Sequence, residues 1–187
     1  MRRSAWLCVF LGYFLFCSVF TLAGPADVNP ELLNDRWSAR WIAHPHHVDP
    51  SAADYRSPRA YGVYHFRRSF DLPAKPGRFV VHVTADQRYQ LYVNGKRVAW
   101  GPARADLKHW RYESVDLAPH MRAGVNVLAA VVWNFAEHAP VAQTTARTAF
   151  LLQGDTPLER MADTGPLWRV WHNPSFSAIP IQMGRDV

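Results

Sequence analysis

The sequence predicts an all-β fold, a two-sheet sandwich of the jelly-roll type. Short segments alternate between apolar and polar residues, turn-forming residues separate them, and no long segment has the period of an amphipathic helix. Hydrophobic residues make up 49% of the chain and charged residues 19%, a balance typical of a domain that buries a core. A length of 187 residues suits one ordinary domain with tails.

The N-terminal segment is typical of a secretory signal peptide. Met1-Arg2-Arg3 is positively charged, Leu7 to Leu22 is a nearly uninterrupted apolar run, and Thr21-Leu22-Ala23 offers small residues for cleavage. The alternative is a membrane anchor, but a helix over this run would span only ~24 Å of the ~30 Å hydrocarbon core. We therefore expect residues 1–23 to be removed and the protein to be secreted or periplasmic, with no membrane contact after cleavage.

Cleavage changes the composition of the mature chain. Cys8 and Cys17 both lie within the signal, so the mature chain would have neither a thiol nor a disulfide. Loss of Arg2 and Arg3 leaves 19 basic against 15 acidic residues, a net charge of +4. The basic residues that remain are scattered along the sequence, and we therefore expect no nucleic-acid partner.

Three parts are expected after the signal. Residues 24–36 contain proline and show no period, which favours a leader loop. The β-sandwich is expected over residues 37–155. Residues 156–187 are expected to be a C-terminal extension.

Alternation predicts the first strands of the sandwich. They are expected at residues 37–42, 61–72 and 78–86. In the third strand, the odd-numbered positions from Phe79 to Ala85 are apolar and should face the core. His82, Thr84 and Asp86 should then face solvent.

The strongest local signal is a β-hairpin centred on Asn94-Gly95. This dipeptide readily adopts the positive φ angles of a two-residue type I′ turn. The predicted pairs are Val93 with Lys96, Tyr92 with Arg97, Leu91 with Val98 and Tyr89 with Trp100. Pairing of Tyr92 with Arg97 would allow a cation-π contact between them.

The second half of the sandwich follows the same pattern. Strands are predicted at residues 110–117, 126–135, 147–153 and 168–171, with a short helical stretch at 120–122. Segment 126–135 is apolar at both odd and even positions, which predicts a central strand covered on both faces.

A series of motifs carries a resemblance to a known family. In order, the motifs are Ala85-Asp86-Gln87-Arg88-Tyr89-Gln90-Leu91-Tyr92-Val93-Asn94-Gly95-Lys96, Gly101-Pro102-Ala103, Trp110-Arg111-Tyr112-Glu113, Val115-Asp116-Leu117 and Gly124-Val125-Asn126-Val127-Leu128-Ala129. The series resembles the N-terminal β-sandwich of bacterial α-L-rhamnosidase-like glycoside hydrolases, within the galactose-binding-like jelly rolls. The resemblance runs from Trp37 to Trp171.

The resemblance implies that catalysis belongs to a separate α/α-barrel domain, which lies downstream of the sandwich in that family. It also implies that the C-terminal extension, residues 156–187, leads toward this missing downstream module. We therefore expect a non-catalytic accessory module, either carbohydrate-binding or structural. Its partner would be a carbohydrate, for example a rhamnose-containing one, or a catalytic glycosidase domain. The alternatives left open are a small secreted glycoside hydrolase and a protein-interaction module.

Carbohydrate sites combine aromatic faces, on which sugar rings stack, with polar groups that bind hydroxyls. Around one end of the hairpin and the loop that follows it, the candidate residues are Asp86, Arg88, Trp100, Arg104, Asp106 and Trp110. The alternative is that both tryptophans belong to a core or a domain interface and that both aspartates form loop hydrogen bonds.

Catalytic and metal motifs are not evident. Glycoside hydrolysis needs two carboxyl groups that flank one bond, and the acidic residues here are scattered. Asp86 and Asp106 both flank the hairpin and could converge. The histidine cluster at residues 44–47 has no second ligand pair at a diagnostic spacing, and its prolines favour an exposed loop. We expect no catalytic residue, no metal ligand and no cofactor, and no Asp-rich spacing supports a structural calcium ion.

Overall fold

The computed structural model describes residues 29–34, 36–45, 61–136, 139–140 and 143–177. Its strands are β1 (Gly62–Leu72), β2 (Val80–Asp86), β3 (Arg88–Val93), β4 (Lys96–Gly101), β5 (Glu113–Asp116), β6 (Gly124–Asn134), β7 (Ala149–Gly154) and β8 (Arg169–His172). A single helical turn, α1 (Glu31–Asn34), and 3₁₀ turns at Ala118–His120 and Glu159–Ala162 accompany them. The predicted signal, residues 1–23, lies outside the described residues.

The strands form two antiparallel sheets, which confirms the predicted all-β sandwich. One sheet has five strands in the order β4-β3-β6-β1-β8, and the other has three in the order β5-β2-β7. Strand β8 falls within residues 156–187, the expected extension, and pairs with β1 at the edge of the larger sheet. The face of the five-stranded sheet that packs against the smaller sheet is called the inner face below, and the opposite one the outer face.

Aromatic side chains from both sheets meet in the core. The ring of Phe150 on β7 lies 5.5 Å from that of Phe66 on β1 and 6.3 Å from that of Tyr89 on β3. Trp168, just before β8, closes the cluster at 5.5 Å from Phe150. Because Phe66, Tyr89 and Phe150 are almost completely buried, each contributes a large apolar area to the stability of the fold.

The hairpin forms as predicted at its turn and differs further along. Asn94 and Gly95 have φ angles of 50° and 85°, as a type I′ turn requires. The pairs Val93 with Lys96 and Tyr92 with Arg97 are present.

Beyond these pairs, the predicted pairing is wrong. A β-bulge shifts the register between Leu91 and Tyr92, so that Leu91 pairs with Ala99 and Gln90 with Trp100. Val98 is the extra residue, and it moves Trp100 to the outer face, away from the buried Tyr89. The cation-π contact therefore forms on one strand, with the guanidinium carbon of Arg97 5.7 Å from the Trp100 ring centroid.

The polar residues of β2 do not face solvent, contrary to the sequence prediction. All seven residues of the strand are buried, including His82, Thr84 and Asp86. The reason is that β2 is the central strand of its sheet and that Trp37 covers His82 from the preceding segment, with a centroid distance of 6.0 Å.

The predicted strand at residues 37–42 is also wrong. Apart from one bridge between Ile42 and Phe150, the segment is irregular and packs over β7. Side-chain contacts anchor it: the main-chain N–H of Ala39 donates to Gln153 Oε1 at 2.9 Å. The alternation of Trp37 and Trp41 reflects this packing and not a ladder.

Strand β6 is central, as predicted, but only its inner face is fully covered. The inner residues Leu128, Ala130 and Val132 are almost completely buried, whereas Ala129 and Val131 on the outer face are half-buried. The described residues therefore leave an apolar strip on the outer face in partial contact with solvent.

Candidate functional site

A small cleft lies between the start of β3 and the loop after β4. Its lining includes the predicted residues Arg88, Arg104 and Trp110, together with Gln87 and Pro102. The cavity volume of about 20 Å³ is room for roughly one water molecule. A sugar could therefore be bound only on the rim of this cleft and not enclosed by it.

Glu113 on β5 fixes the loop that forms the cleft. Its Oε2 accepts the hydroxyl of Tyr89 at 2.8 Å, and its Oε1 accepts the main-chain N–H of Ala103 at 2.9 Å. Gly101 lets the carboxylate come this close, because a Cβ there would lie 2.3 Å from Oε2. Burial, followed by the negative charge of Glu113, raises the pKa of Tyr89, so the phenol remains a donor. Sequence reasoning assigned no role to Glu113.

Arg88 and Trp110 both line the cleft. The Arg88 guanidinium donates to the carbonyl oxygen of Pro102, which ties the first residue of β3 to the loop. The ring of Trp110 lies 5.4 Å from that of Trp41, tilted by 59°. Trp41 is 43% exposed, so the two indoles form an aromatic pair that is open to solvent beside the cleft.

Trp41 also borders a larger apolar groove. The groove lies between residues 40–43 and the approach to β8, with Phe66 and Trp168 in its lining, and has a volume of about 290 Å³. No sequence pattern indicates this groove, because its walls come from segments far apart in the chain. The Trp41–Trp110 pair joins the groove to the cleft.

Asp86 lies at the end of β2 and is 2% exposed. Its Oδ2 accepts the main-chain N–H groups of Ala146 and Arg147 at 2.6 and 2.7 Å. These bonds hold the loop that leads into β7. The lining of the cleft does not include Asp86.

Asp106 is exposed and organises its own turn. Its Oδ1 accepts the main-chain N–H groups of Lys108 and His109 at 2.7 and 2.9 Å, and Oδ2 lies 2.8 Å from His109 Nδ1. The hydrogen bond from His109, and then that from Lys108, lower the pKa of Asp106. Asp86 and Asp106 therefore lie in different environments, one buried and one in solvent.

Ser114, His82 and Asp155 form a hydrogen-bonded chain that sequence reasoning missed. His82 Nδ1 lies 2.9 Å from Ser114 Oγ, and Nε2 lies 3.0 Å from Asp155 Oδ1. The order resembles a serine hydrolase triad. His82, however, is completely buried beneath Trp37 and Tyr112, and a general base must reach the proton that it removes. The arrangement instead links β2, β5 and the residue after β7.

The described residues can be searched for a metal site and for a membrane-spanning helix. Among them, no group of three or more His, Cys, Asp or Glu side chains could hold a metal ion. His46 and His47, two of the three histidines in the cluster at residues 44–47, lie outside this part of the chain. Within the same residues, no helix is long and apolar enough to cross a membrane.

Known structures resemble this sandwich. The chain is similar to the GH78 family rhamnosidase of Bacillus sp. GL1, with 29% sequence identity and a TM-score of 0.62. It is also similar to the α-L-rhamnosidase from Dictyoglumus thermophilum, with 21% identity and a TM-score of 0.55. The predicted resemblance to a rhamnosidase β-sandwich is confirmed. No family profile and no curated protein matches the sequence.

The shared region is a small part of these enzymes. The match covers 74% of this chain but only 14% of the Bacillus enzyme, and 78% of this chain but 17% of the Dictyoglumus enzyme. The chain thus matches only a small part of each of these enzymes. At 21% identity, the second similarity supports the fold alone.

Proposed function

We propose that this chain is a non-catalytic accessory module of an α-L-rhamnosidase-like glycoside hydrolase and that it binds a sugar on the rim of the cleft. The observation that carries the proposal is the match to only one seventh of a rhamnosidase, a region of single-domain length. A predicted secretory signal, with an extracellular or periplasmic location, agrees with a polysaccharide-degrading partner.

The cleft supports the binding role in its details. Trp41 and Trp110 offer solvent-accessible aromatic faces for stacking, and Arg88 and Arg104 offer donors to sugar hydroxyls. The Glu113 bonds fix the loop before any ligand arrives, which reduces the entropy lost on binding.

Isothermal titration of the purified chain against L-rhamnose and neutral oligosaccharides tests this proposal. We expect saturable heat, a loss of at least tenfold in affinity for Trp110→Ala, and little change for Leu158→Ala, an exposed apolar residue outside the cleft. Circular dichroism confirms that each variant is folded. No binding by the folded chain would contradict the sugar site and favour a structural module that docks on a catalytic domain.

The second function left open by the sequence is that of a small hydrolase. Both carboxylates of the predicted pair already accept main-chain N–H groups, which favours structural roles for Asp86 and Asp106. Turnover of an aryl glycoside by the purified chain, abolished in Asp106→Asn, would replace the accessory role with catalysis.

A further inference from the structure

Two straight rows of side chains cross the outer face of the five-stranded sheet. Cross-strand pairing aligns the first row as Trp100, Gln90, Val131, His65 and Trp171. The second row is aligned as Arg97, Tyr92, Ala129, Arg67 and Arg169. We call these ten residues the Trp-Arg face.

The exposed groups of the Trp-Arg face are aromatic and cationic. Trp100 is 70% exposed at one edge of the sheet, and Trp171 is 56% exposed at the other. Arg67, Arg97 and Arg169 are exposed, and neither row contains an acidic residue. None of the three arginines forms an ion pair with another described residue. The positive charge of this face is therefore available to an anionic partner.

The dimensions of the face favour a linear ligand. Strands lie ~4.8 Å apart, so the four intervals from β4 to β8 separate Trp100 from Trp171 by roughly 19 Å. Between them, the row runs over Gln90, Val131 and His65, all half-buried. The small, half-buried Ala129 lies beside Val131 in the second row. A compact protein partner would instead favour large apolar residues at the centre of the contact.

The two rows also differ in what they offer. Residues two apart on a strand lie ~7 Å apart, so the cationic row runs beside the Trp100–Trp171 row at that distance. A chain of sugar rings lying along the Trp row would direct groups on one side toward Arg67 and Arg169. Planar guanidinium groups bind carboxylates through paired hydrogen bonds.

We propose that the Trp-Arg face binds an anionic polysaccharide, with sugar rings on Trp100 and Trp171 and carboxylates on the arginines. The inference rests on the proposed function only for the choice of a sugar polymer over another linear polyanion. It describes a second surface, because neither tryptophan nor any of the three arginines lines the cleft.

Binding of the full chain to polygalacturonate tests the proposal, with fully methyl-esterified polygalacturonate as the uncharged counterpart. We expect saturable binding to the acid form that weakens as salt is added, and at least tenfold weaker binding to the ester. Arg67→Gln combined with Arg169→Gln, and separately Trp171→Ala, should each reduce affinity at least tenfold. Lys75→Gln combined with Arg160→Gln removes the same charge elsewhere on the surface and should retain binding.

The remaining outcomes separate this surface from the cleft. Trp110→Ala should retain polygalacturonate binding even where it abolishes binding of a neutral sugar. The proposal is overturned if the folded chain ignores polygalacturonate, if the Lys75/Arg160 variant loses as much affinity as the Arg67/Arg169 variant, or if only Trp110→Ala loses it. Equal or tighter binding of polyuridylate would overturn the choice of a glycan and identify a general polyanion surface.

Discussion

Replacing Asp155 with Asn perturbs a buried carboxylate that contacts three separate segments of the chain. Asp155 is 2% exposed, and its carboxylate accepts three hydrogen bonds. Its Oδ1 accepts the main-chain N–H of Asn29 at 2.8 Å and His82 Nε2 at 3.0 Å, and its Oδ2 accepts Arg78 Nη2 at 2.7 Å. Asparagine preserves the shape and one acceptor oxygen but removes the charge and turns the second oxygen into a donor.

The magnitude follows from these three bonds. A bond to a charged group contributes about 1.5–3 kcal/mol and a neutral one about 0.5–1.5, so the bonds from Asn29 and His82 should each lose about 1 kcal/mol. The Arg78 side chain is 49% exposed, and loss of its bond should therefore cost only about 0–1 kcal/mol. We expect Asp155→Asn to lower the free energy of unfolding by about 2–3 kcal/mol at pH 7.

The pH dependence supplies an independent check. Burial acts to raise the pKa of Asp155, but hydrogen bonds from Arg78, Asn29 and His82 outweigh it, and the net pKa is lowered. A lowered pKa stabilises the fold above the ordinary aspartate value of about 4, and this contribution disappears as the pH falls through the folded value. The difference between wild type and variant should therefore shrink on acidification from pH 7 to pH 3.

Urea unfolding at both pH values measures the effect, with Asp71→Asn on the exposed end of β1 as the matched control. The control should change stability by less than about 0.5 kcal/mol. A loss of that small size for Asp155→Asn would refute the reasoning. So would a loss of about 2–3 kcal/mol that stays constant between pH 7 and pH 3, because it would not come from the carboxylate charge.

Two further predictions concern the stability of the core, one through close packing and one through a buried hydrogen bond. Gly154→Ala should cost about 1–3 kcal/mol in urea unfolding, because its Cβ would lie 2.2 Å from the main-chain carbon of Glu159; Gly165→Ala, which meets nothing within 4 Å, should change little. Tyr89→Phe should cost about 1–3 kcal/mol because it leaves Glu113 without its buried donor, and an unchanged midpoint would show that water replaces the phenol.

Sequence patterns predicted the turns and strands whose conformation depends on neighbouring residues. The Asn94-Gly95 turn formed because the dipeptide itself tolerates positive φ angles. Alternation likewise identified β1, whose inner residues pack on the opposite sheet. The sandwich could therefore be predicted from turns and periods, without knowledge of any long-range contact.

The errors arise where distant segments decide burial. His82 was expected in solvent because it alternates with valines, but Trp37 covers it from a segment about forty-five residues away. Its partner Asp155 lies 73 residues further along the chain. No period in the sequence reports such a pairing, and the network was invisible for that reason.

The candidate sugar site was predicted from residues that lie close to the hairpin in the sequence. Only some of these residues lie close together in the structure. Arg88, Arg104 and Trp110 meet at the cleft, where β3 and the loop after β4 are neighbours. Asp86 precedes Arg88 by two residues, but the loop before β7 encloses it. The six predicted residues thus fall into separate environments, and binding by any of them is still a prediction.

A single extra residue explains why Trp100 is separated from the cleft. In a regular strand, residues three apart face opposite sides, so Arg97 and Trp100 would not share a face. The bulge at Val98 adds one position and brings both onto the outer face. Trp100 then continues the row that ends at Trp171 instead of joining Trp110. Without the bulge, Trp100 and Trp110 would be assigned to one surface, whereas in the fold Trp110 lines the cleft and Trp100 lies on the Trp-Arg face. The two binding experiments must therefore use different variants.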